Sequence, residues 1–102
     1  EAASVGLTEQ QCADSGQECH CRKSFFRSNG KAVCLGQTDG FCKIVIAGKQ
    51  GSDGKILGCH LFGPHSADLI QEITALISRG AYMSDLDSII HPHPTLSEIF
   101  VN

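Results

Sequence analysis

Phe41-Cys42-Lys43-Ile44-Val45-Ile46-Ala47 and, after a glycine-rich break, Lys55-Ile56-Leu57-Gly58-Cys59-His60-Leu61-Phe62 decide the fold. In the first run Cys42, Ile44 and Ile46 alternate onto one face and β-branched residues dominate, which predicts a strand. In the second run Leu57, Cys59 and Leu61 are expected on one face. Gly58 falls on the other, where a missing side chain predicts close approach by a neighbouring element. The joining residues 48–54 contain three glycines. A phosphate loop would end in Gly-Lys-Ser or Gly-Lys-Thr and feed a helix. This one feeds a strand, so it reads as a hairpin loop.

Outward from the hairpin, the chain alternates between strands and helices. Ala2 to Leu7 reads as a short strand. Thr8 opens a helix with the capping box Thr8-x-x-Gln11, and Gly16 is its stop. Cys19 to Arg27 is consistent with a second strand, and Ser28-Asn29-Gly30 is turn chemistry. Lys31 to Leu35 is readable as either a short helix or an extended link. Beyond the hairpin, Pro64 is the expected start of the longest helix. Its stripe is Leu69, Ile70, Ile73, Leu76 and Ile77, with Arg79 in the last turn and Gly80 past it. Ser84 is expected to cap a shorter helix carrying Leu86, Ile89 and Ile90. Thr95 to Val101 forms a last turn or two. The order predicts an α+β domain, a largely antiparallel sheet with helices packed on one face.

At 102 residues and a net charge of −3, the chain is one domain with room for a single modest core. A pI near 5.9 leaves no basic field for nucleic acid or an anionic membrane. No apolar run reaches spanning length, and no basic n-region precedes an apolar one at the start. The chain opens abruptly in a strand without Met and ends at Asn102 just after a helical turn, which reads as a piece of a longer product.

Six cysteines, Cys12, Cys19, Cys21, Cys34, Cys42 and Cys59, allow many disulfide pairings. The periodic apolar segments can bury a core without staples, so free thiols in a reducing compartment are expected. Cys42 and Cys59 fall among Ile, Val and Leu, where a thiol acts as a small apolar side chain. Cys19 and Cys21 share a strand face and Cys12 is near in sequence. They lack both the C-x2-C and the paired-His spacing of a zinc site, and no metal is assigned.

The densest chemistry lies in His91-Pro92-His93-Pro94-Thr95-Leu96-Ser97-Glu98. Each proline disfavours helix in the residue before it, so His91 and His93 are expected in extended backbone. A carboxylate five residues after His93 could hold one ring N–H and leave the other nitrogen free to accept a proton. Thr95-x-x-Glu98 is equally a capping box, and capping is the commoner use of such a pair. His91 reads as a placing residue without catalytic role. His60 reads as a hydrogen-bonded structural histidine, His65 as a cap or a solvent-facing residue, and His20 is unassigned.

His93-Pro94-Thr95-Leu96-Ser97-Glu98 resembles the C-terminal signature of the flavin-dependent pyridine nucleotide-disulfide oxidoreductases, in the Leu-Ser form of the dihydrolipoyl dehydrogenases. The resemblance extends in order through Ala3 to Glu9, Asn29-Gly30-Lys31-Ala32, Thr38 to Lys43, Ile56 to Gly63 and Ala67 to Glu72. It implies that residues 1–102 are one C-terminal dimerisation domain excised from a longer flavoenzyme. It implies His93 as catalytic base and Glu98 as its orienting carboxylate, both serving the flavin and disulfide of a partner subunit. FAD and NAD belong to the intact enzyme, and this fragment alone is expected to bind neither and to be inactive. The implied partners are a second copy, the chain's own FAD and NAD domains and lipoyl domains of 2-oxo acid dehydrogenase complexes. The implied location is the cytoplasm, or the mitochondrial matrix in a eukaryote.

The absences agree with an excised domain. No G-x-G-x-x-G follows a strand, so nothing here would hold a dinucleotide pyrophosphate. No two cysteines are separated by four residues, the spacing of the family's redox disulfide. Three alternatives stand beside this reading. They are the interface domain of another disulfide reductase such as a glutathione reductase, a non-catalytic interaction module, and a metal- or thiol-buffering protein. Leu96-Ser97 argues against the first, because the glutathione enzymes usually carry Ser-Ser there.

Overall fold

In the computed structural model, which describes residues 1–101, the hairpin stands at the centre. Asn102, the last residue of the expected domain, lies outside the described residues. The chain runs β1 (Ala2–Gly6), α1 (Glu9–Ser15), β2 (Cys19–Phe25), a 3-10 turn (Phe26–Ser28) and α2 (Gly30–Leu35). It continues through β3 (Phe41–Ala47), β4 (Ile56–Phe62), α3 (Ser66–Ser78), α4 (Met83–Asp87) and a final 3-10 turn (Leu96–Phe100). The four strands form one sheet in the order β1-β4-β3-β2, with every neighbouring pair antiparallel. The α+β architecture is the one expected, and Lys31 to Leu35, left open by the sequence, are helical, in a helix that begins at Gly30.

Cys42, Ile44 and Ile46 are buried in the core as their alternation predicts. On β4 the expected face shifts. Ile56, Cys59 and Leu61 are buried, while Leu57 is only half-buried. The register explains it: Ile46 pairs with Ile56 but Val45 with Gly58, so Leu57 is the extra residue of a bulge. The freed Leu57 carbonyl accepts the Leu7 N–H at 2.9 Å. The expected close approach at Gly58 is present, since a Cβ there would lie 2.0 Å from the Leu7 carbonyl oxygen.

Helix α1 starts and stops as its letters predict. Thr8 accepts from the Gln11 N–H, the Gln11 side chain returns to Thr8, and Gly16 closes the helix in the left-handed region. Glu9 forms an ion pair with Lys43, whose side chain points away from the Cys42 and Ile44 face. Helix α3 lays its apolar stripe on the sheet: Ile73 is fully buried, and Leu69, Ile70, Leu76 and Ile77 are partly so. Truncating Ile73 to Ala would cost about 2–5 kcal/mol.

Two helix starts differ from expectation. Helix α3 begins at Ser66 rather than Pro64, because His65 turns into the left-handed region at φ 55°. Helix α4 begins at Met83, and Ser84 does not cap it. Ser84 gives its N–H and hydroxyl to Asp53 in the hairpin loop, at 3.0 and 2.8 Å. The helix ends at Asp87, so Ile89 and Ile90 are not on its buried face. Ile90 is 91 % exposed. Among the described residues no helix is long and apolar enough to cross a membrane.

Candidate functional site

The His-Pro-His-Pro segment is a loop between α4 and the final 3-10 turn, without helix or strand, as proline chemistry requires. The peptide bond between His93 and Pro94 is cis. Thr95 then starts the 3-10 turn with its capping box, and Glu98 reaches back to accept the Thr95 N–H at 2.9 Å. The Thr95 hydroxyl donates to the Pro92 carbonyl at 2.7 Å. Through these short contacts the turn holds the loop that precedes it.

Glu98 does two things with one carboxylate. The oxygen that takes the Thr95 N–H also lies 3.0 Å from His93 Nδ1, and the second oxygen lies 3.2 Å from the same nitrogen. Capping and orienting are therefore not alternatives here, since the structure contains both contacts. The Thr95 N–H, and after it the His93 ring, hold the Glu98 carboxyl below the ordinary carboxylate range. An ionised Glu98 only accepts, so His93 must donate from Nδ1. That leaves Nε2 with a bare lone pair in the neutral ring. The His93 side chain is 76 % exposed, so this lone pair faces outward.

Of the other four histidines, His60 and His20 are structural. His60 Nε2 lies 3.0 Å from the Leu7 carbonyl and its Nδ1 lies 2.9 Å from the Ser4 hydroxyl. A ring protonated at Nε2 that accepts from Ser4 satisfies both. His20 Nδ1 donates to the Gly48 carbonyl at 2.9 Å. His65 meets solvent, with Nδ1 4.0 Å from Asp68, and makes no cap hydrogen bond. His91 points inward instead, to Glu72 of α3 at 2.6 Å.

Asn29 is a site-supporting residue that its turn-forming letters did not reveal. It is buried, its side-chain oxygen caps α2 at the Ala32 N–H, and its amide donates to the Thr95 carbonyl at 3.1 Å. Arg22 is another. Its guanidinium pairs with Asp87 at 2.9 Å and donates to the Phe100 carbonyl at 2.6 Å, tying the final turn to β2. Its Nε, also buried, finds no partner among the described residues. Neither role has a local sequence signal, because the partners are 65 or more residues away.

All six cysteines are free. Burial, followed by the hydrogen bond to the Glu9 carboxylate, pushes the Cys21 thiol up to about 12. Burial and then the neighbouring Cys19 push Cys12 up as well. Cys42 and Cys59 lie 3.9 Å apart in the core, and their contact, with burial, raises Cys42. Cys12, Cys21 and Cys42 are therefore thiols at neutral pH, poorly suited to act as nucleophiles or soft metal ligands. Among the described residues no three His, Cys, Asp or Glu side chains are grouped to hold a metal. A hollow of about 400 Å³ beside β2, lined by His20, Cys21, Arg22, Asp53 and Asp87, does not include His93 or Glu98.

The chain belongs to the pyridine nucleotide-disulphide oxidoreductase dimerisation-domain family, whose model matches residues 1–102. It is 42 % identical over 99 residues to a dihydrolipoyl dehydrogenase of Geobacillus stearothermophilus, covering 97 % of this chain and 20 % of the relative. It is 45 % identical over 98 residues to a dihydrolipoyl dehydrogenase of Bacillus subtilis, covering 96 % and 20 %. The fold superposes on the HOCl-induced flavoprotein disulfide reductase RclA of Escherichia coli with a TM-score of 0.86. That match has 25 % identity and covers 97 % of this chain and 22 % of the reductase. The chain spans about a fifth of the length of these curated relatives.

Proposed function

We propose that residues 1–102 form the C-terminal dimerisation domain of a longer dihydrolipoyl dehydrogenase and supply its catalytic base, His93, oriented by Glu98. The observation that carries this reading is the single carboxylate shared between the Thr95 N–H and His93 Nδ1. It orients the ring so that Nδ1 donates and Nε2 is turned away from the carboxylate, on an exposed loop. Such a base has to be completed by another surface, and a second copy supplies it in a homodimer. Ile90, 91 % exposed one residue before His91, suits contact with that copy.

The chemistry needs a thiolate, and an ordinary thiol is mostly protonated at neutral pH. His93 Nε2 takes the proton of one thiol of the substrate dithiol. The resulting thiolate attacks one sulfur of the enzyme disulfide, forming a mixed disulfide and releasing the other sulfur as a thiolate. The second substrate thiol passes its proton to the released enzyme thiolate and, as a thiolate, attacks the mixed disulfide. The substrate leaves as a cyclic disulfide and the enzyme is left as one thiol and one thiolate. His93, as imidazolium, holds the first proton and Glu98 stabilises that charge.

The enzyme disulfide, FAD and NAD belong to parts of the longer protein outside this domain. Bound there, FAD and NAD would supply the acceptors for the electron pair that the enzyme sulfurs gain from the substrate. The proposed partners are the chain's own FAD and NAD domains and lipoyl domains of 2-oxo acid dehydrogenase complexes. The proposed location is the cytoplasm, or the mitochondrial matrix in a eukaryote.

The test is His93→Gln in the full-length chain. Reduction of the flavin by dihydrolipoamide is expected to slow by about 10²–10⁴-fold, the usual contribution of a positioned base. Reduction by NADH and flavin content are expected to hold. Equal loss of both half-reactions would make His93 structural and remove the proposed role.

A further inference from the structure

We infer that His91 and Glu72 form an internal latch that positions the base, which makes them positioning residues for the dithiol half-reaction. This inference rests on the role proposed above for His93.

The His91 side chain is only 5 % exposed, although the loop that carries it is largely exposed. Its two ring nitrogens face two oxygens. Nε2 lies 2.6 Å from a carboxylate oxygen of Glu72, in the middle of α3, and Nδ1 lies 3.1 Å from the Ile89 carbonyl. The Ile89 carbonyl only accepts, so the ring donates from Nδ1, and Nε2 meets the Glu72 carboxyl group in one short hydrogen bond. With the His91 side chain so little exposed, water competes weakly for that contact.

The chain between the latch and the base is short and stiff. One residue separates His91 from His93, and Pro92 has a fixed φ and no N–H to offer. Placing the His91 ring on α3 therefore fixes where the His93 backbone starts. On the other side Thr95 and Glu98 fix where it ends. His93 itself is 76 % exposed, and its ring is held only by Glu98 among the described residues. The base is thus clamped from both flanks while staying accessible. Helix α3, packed on the sheet through Ile73, is the rigid support of the first clamp.

The experiment uses the full-length chain and compares Glu72→Gln, His91→Asn, the double variant and Glu72→Asp, with His93→Gln as reference. Each is followed by stopped-flow flavin reduction, once with dihydrolipoamide and once with NADH. Glu72→Gln and His91→Asn are each expected to slow the dithiol half-reaction about 10-fold, the scale of a small misplacement of a catalytic group. The double variant should be no slower than either single one. Glu72→Asp should recover much of the rate, and the NADH half-reaction should be unchanged throughout. If His93→Gln is slow but the Glu72 and His91 variants react at the parent rate, the latch is overturned and the base survives. If these variants slow both half-reactions alike, or only lower the melting temperature, the contact is merely structural and the latch is again overturned. If His93→Gln reacts at the parent rate, the proposed base falls and the latch falls with it.

Discussion

The Asn29 side-chain amide donates to the Thr95 carbonyl at 3.1 Å, joining the start of α2 to the residue where the site loop ends. The same side chain caps α2 through its oxygen. One buried amide therefore holds two segments far apart in sequence, and each end of it can be removed separately.

Asn29→Ala removes both the cap and the donor. It is expected to destabilise the fold by about 2–3 kcal/mol, combining a lost cap with a buried carbonyl left unpaired. Asn29→Asp keeps the capping oxygen but sets a carboxylate against carbonyl oxygens. Urea unfolding should rank the parent first, with both variants clearly below it. A neutral Asn29→Asp would show that the Thr95 contact contributes nothing.

Glu98 gives the fold an acid limb. Its carboxyl is held below the ordinary range, by the Thr95 N–H first and His93 second. A group depressed in the folded state stabilises above its unfolded value, and the gain is lost as pH falls through the folded value. Parent and Glu98→Gln unfolding midpoints should differ at neutral pH and converge in acid. In a ¹³C titration, His93→Ala should leave most of the Glu98 depression in place. A gap that stays constant down to strong acid would contradict this.

The cysteines should separate by reactivity. At pH 8 a thiol raised to about 12, as Cys21 is, has a thiolate fraction of roughly 10⁻⁴. Cys34 is exposed, whereas Cys12, Cys42 and Cys59 are buried. Iodoacetamide with mass mapping should label Cys34 first, and Cys34→Ser should remove the fast phase. Early labelling of Cys21 would overturn the assignment.

Gly58 has no room for a methyl group, because a Cβ would lie 2.0 Å from the Leu7 carbonyl oxygen and 2.8 Å from the Leu7 nitrogen. Gly58→Ala is expected to cost about 1–3 kcal/mol, as overpacking does, and to loosen β1 and α1 before the hairpin. Hydrogen exchange would show the Leu7 amide, bonded to Leu57, opening first. A variant as stable as the parent would mean that the link between β1 and α1 shifts without cost.

Ile90→Asp tests the proposed dimer. A side chain 91 % exposed contributes little to the fold of this chain, so the melting temperature of the separated subunit should hold. Association should weaken by at least roughly 30-fold if Ile90 is a central contact. Sedimentation of the full-length chain measures this, and an unchanged dimer would place Ile90 outside the interface.

Local spacing determined much of this protein. The alternation at Cys42, Ile44 and Ile46, the box from Thr8 to Gln11, the stripe of α3 and the five-residue reach from His93 to Glu98 are all contacts between near neighbours. Their geometry follows from the strand and helix repeats or from rigid proline backbone. Tertiary structure decided the rest. A bulge put Ile56 in the core in place of Leu57, and Asp53 took the hydrogen bonds of Ser84 that a cap would have used. Glu72 reached His91 across 19 residues and Asn29 reached Thr95 across 66. Such pairs carry no periodicity, because a hydrogen bond between distant segments depends on where the packed sheet and helices bring them together. The contacts of His91 with Glu72 and of Thr95 with Asn29 are therefore visible only in the folded chain, whereas the pairing of His93 with Glu98 is within reach of their spacing.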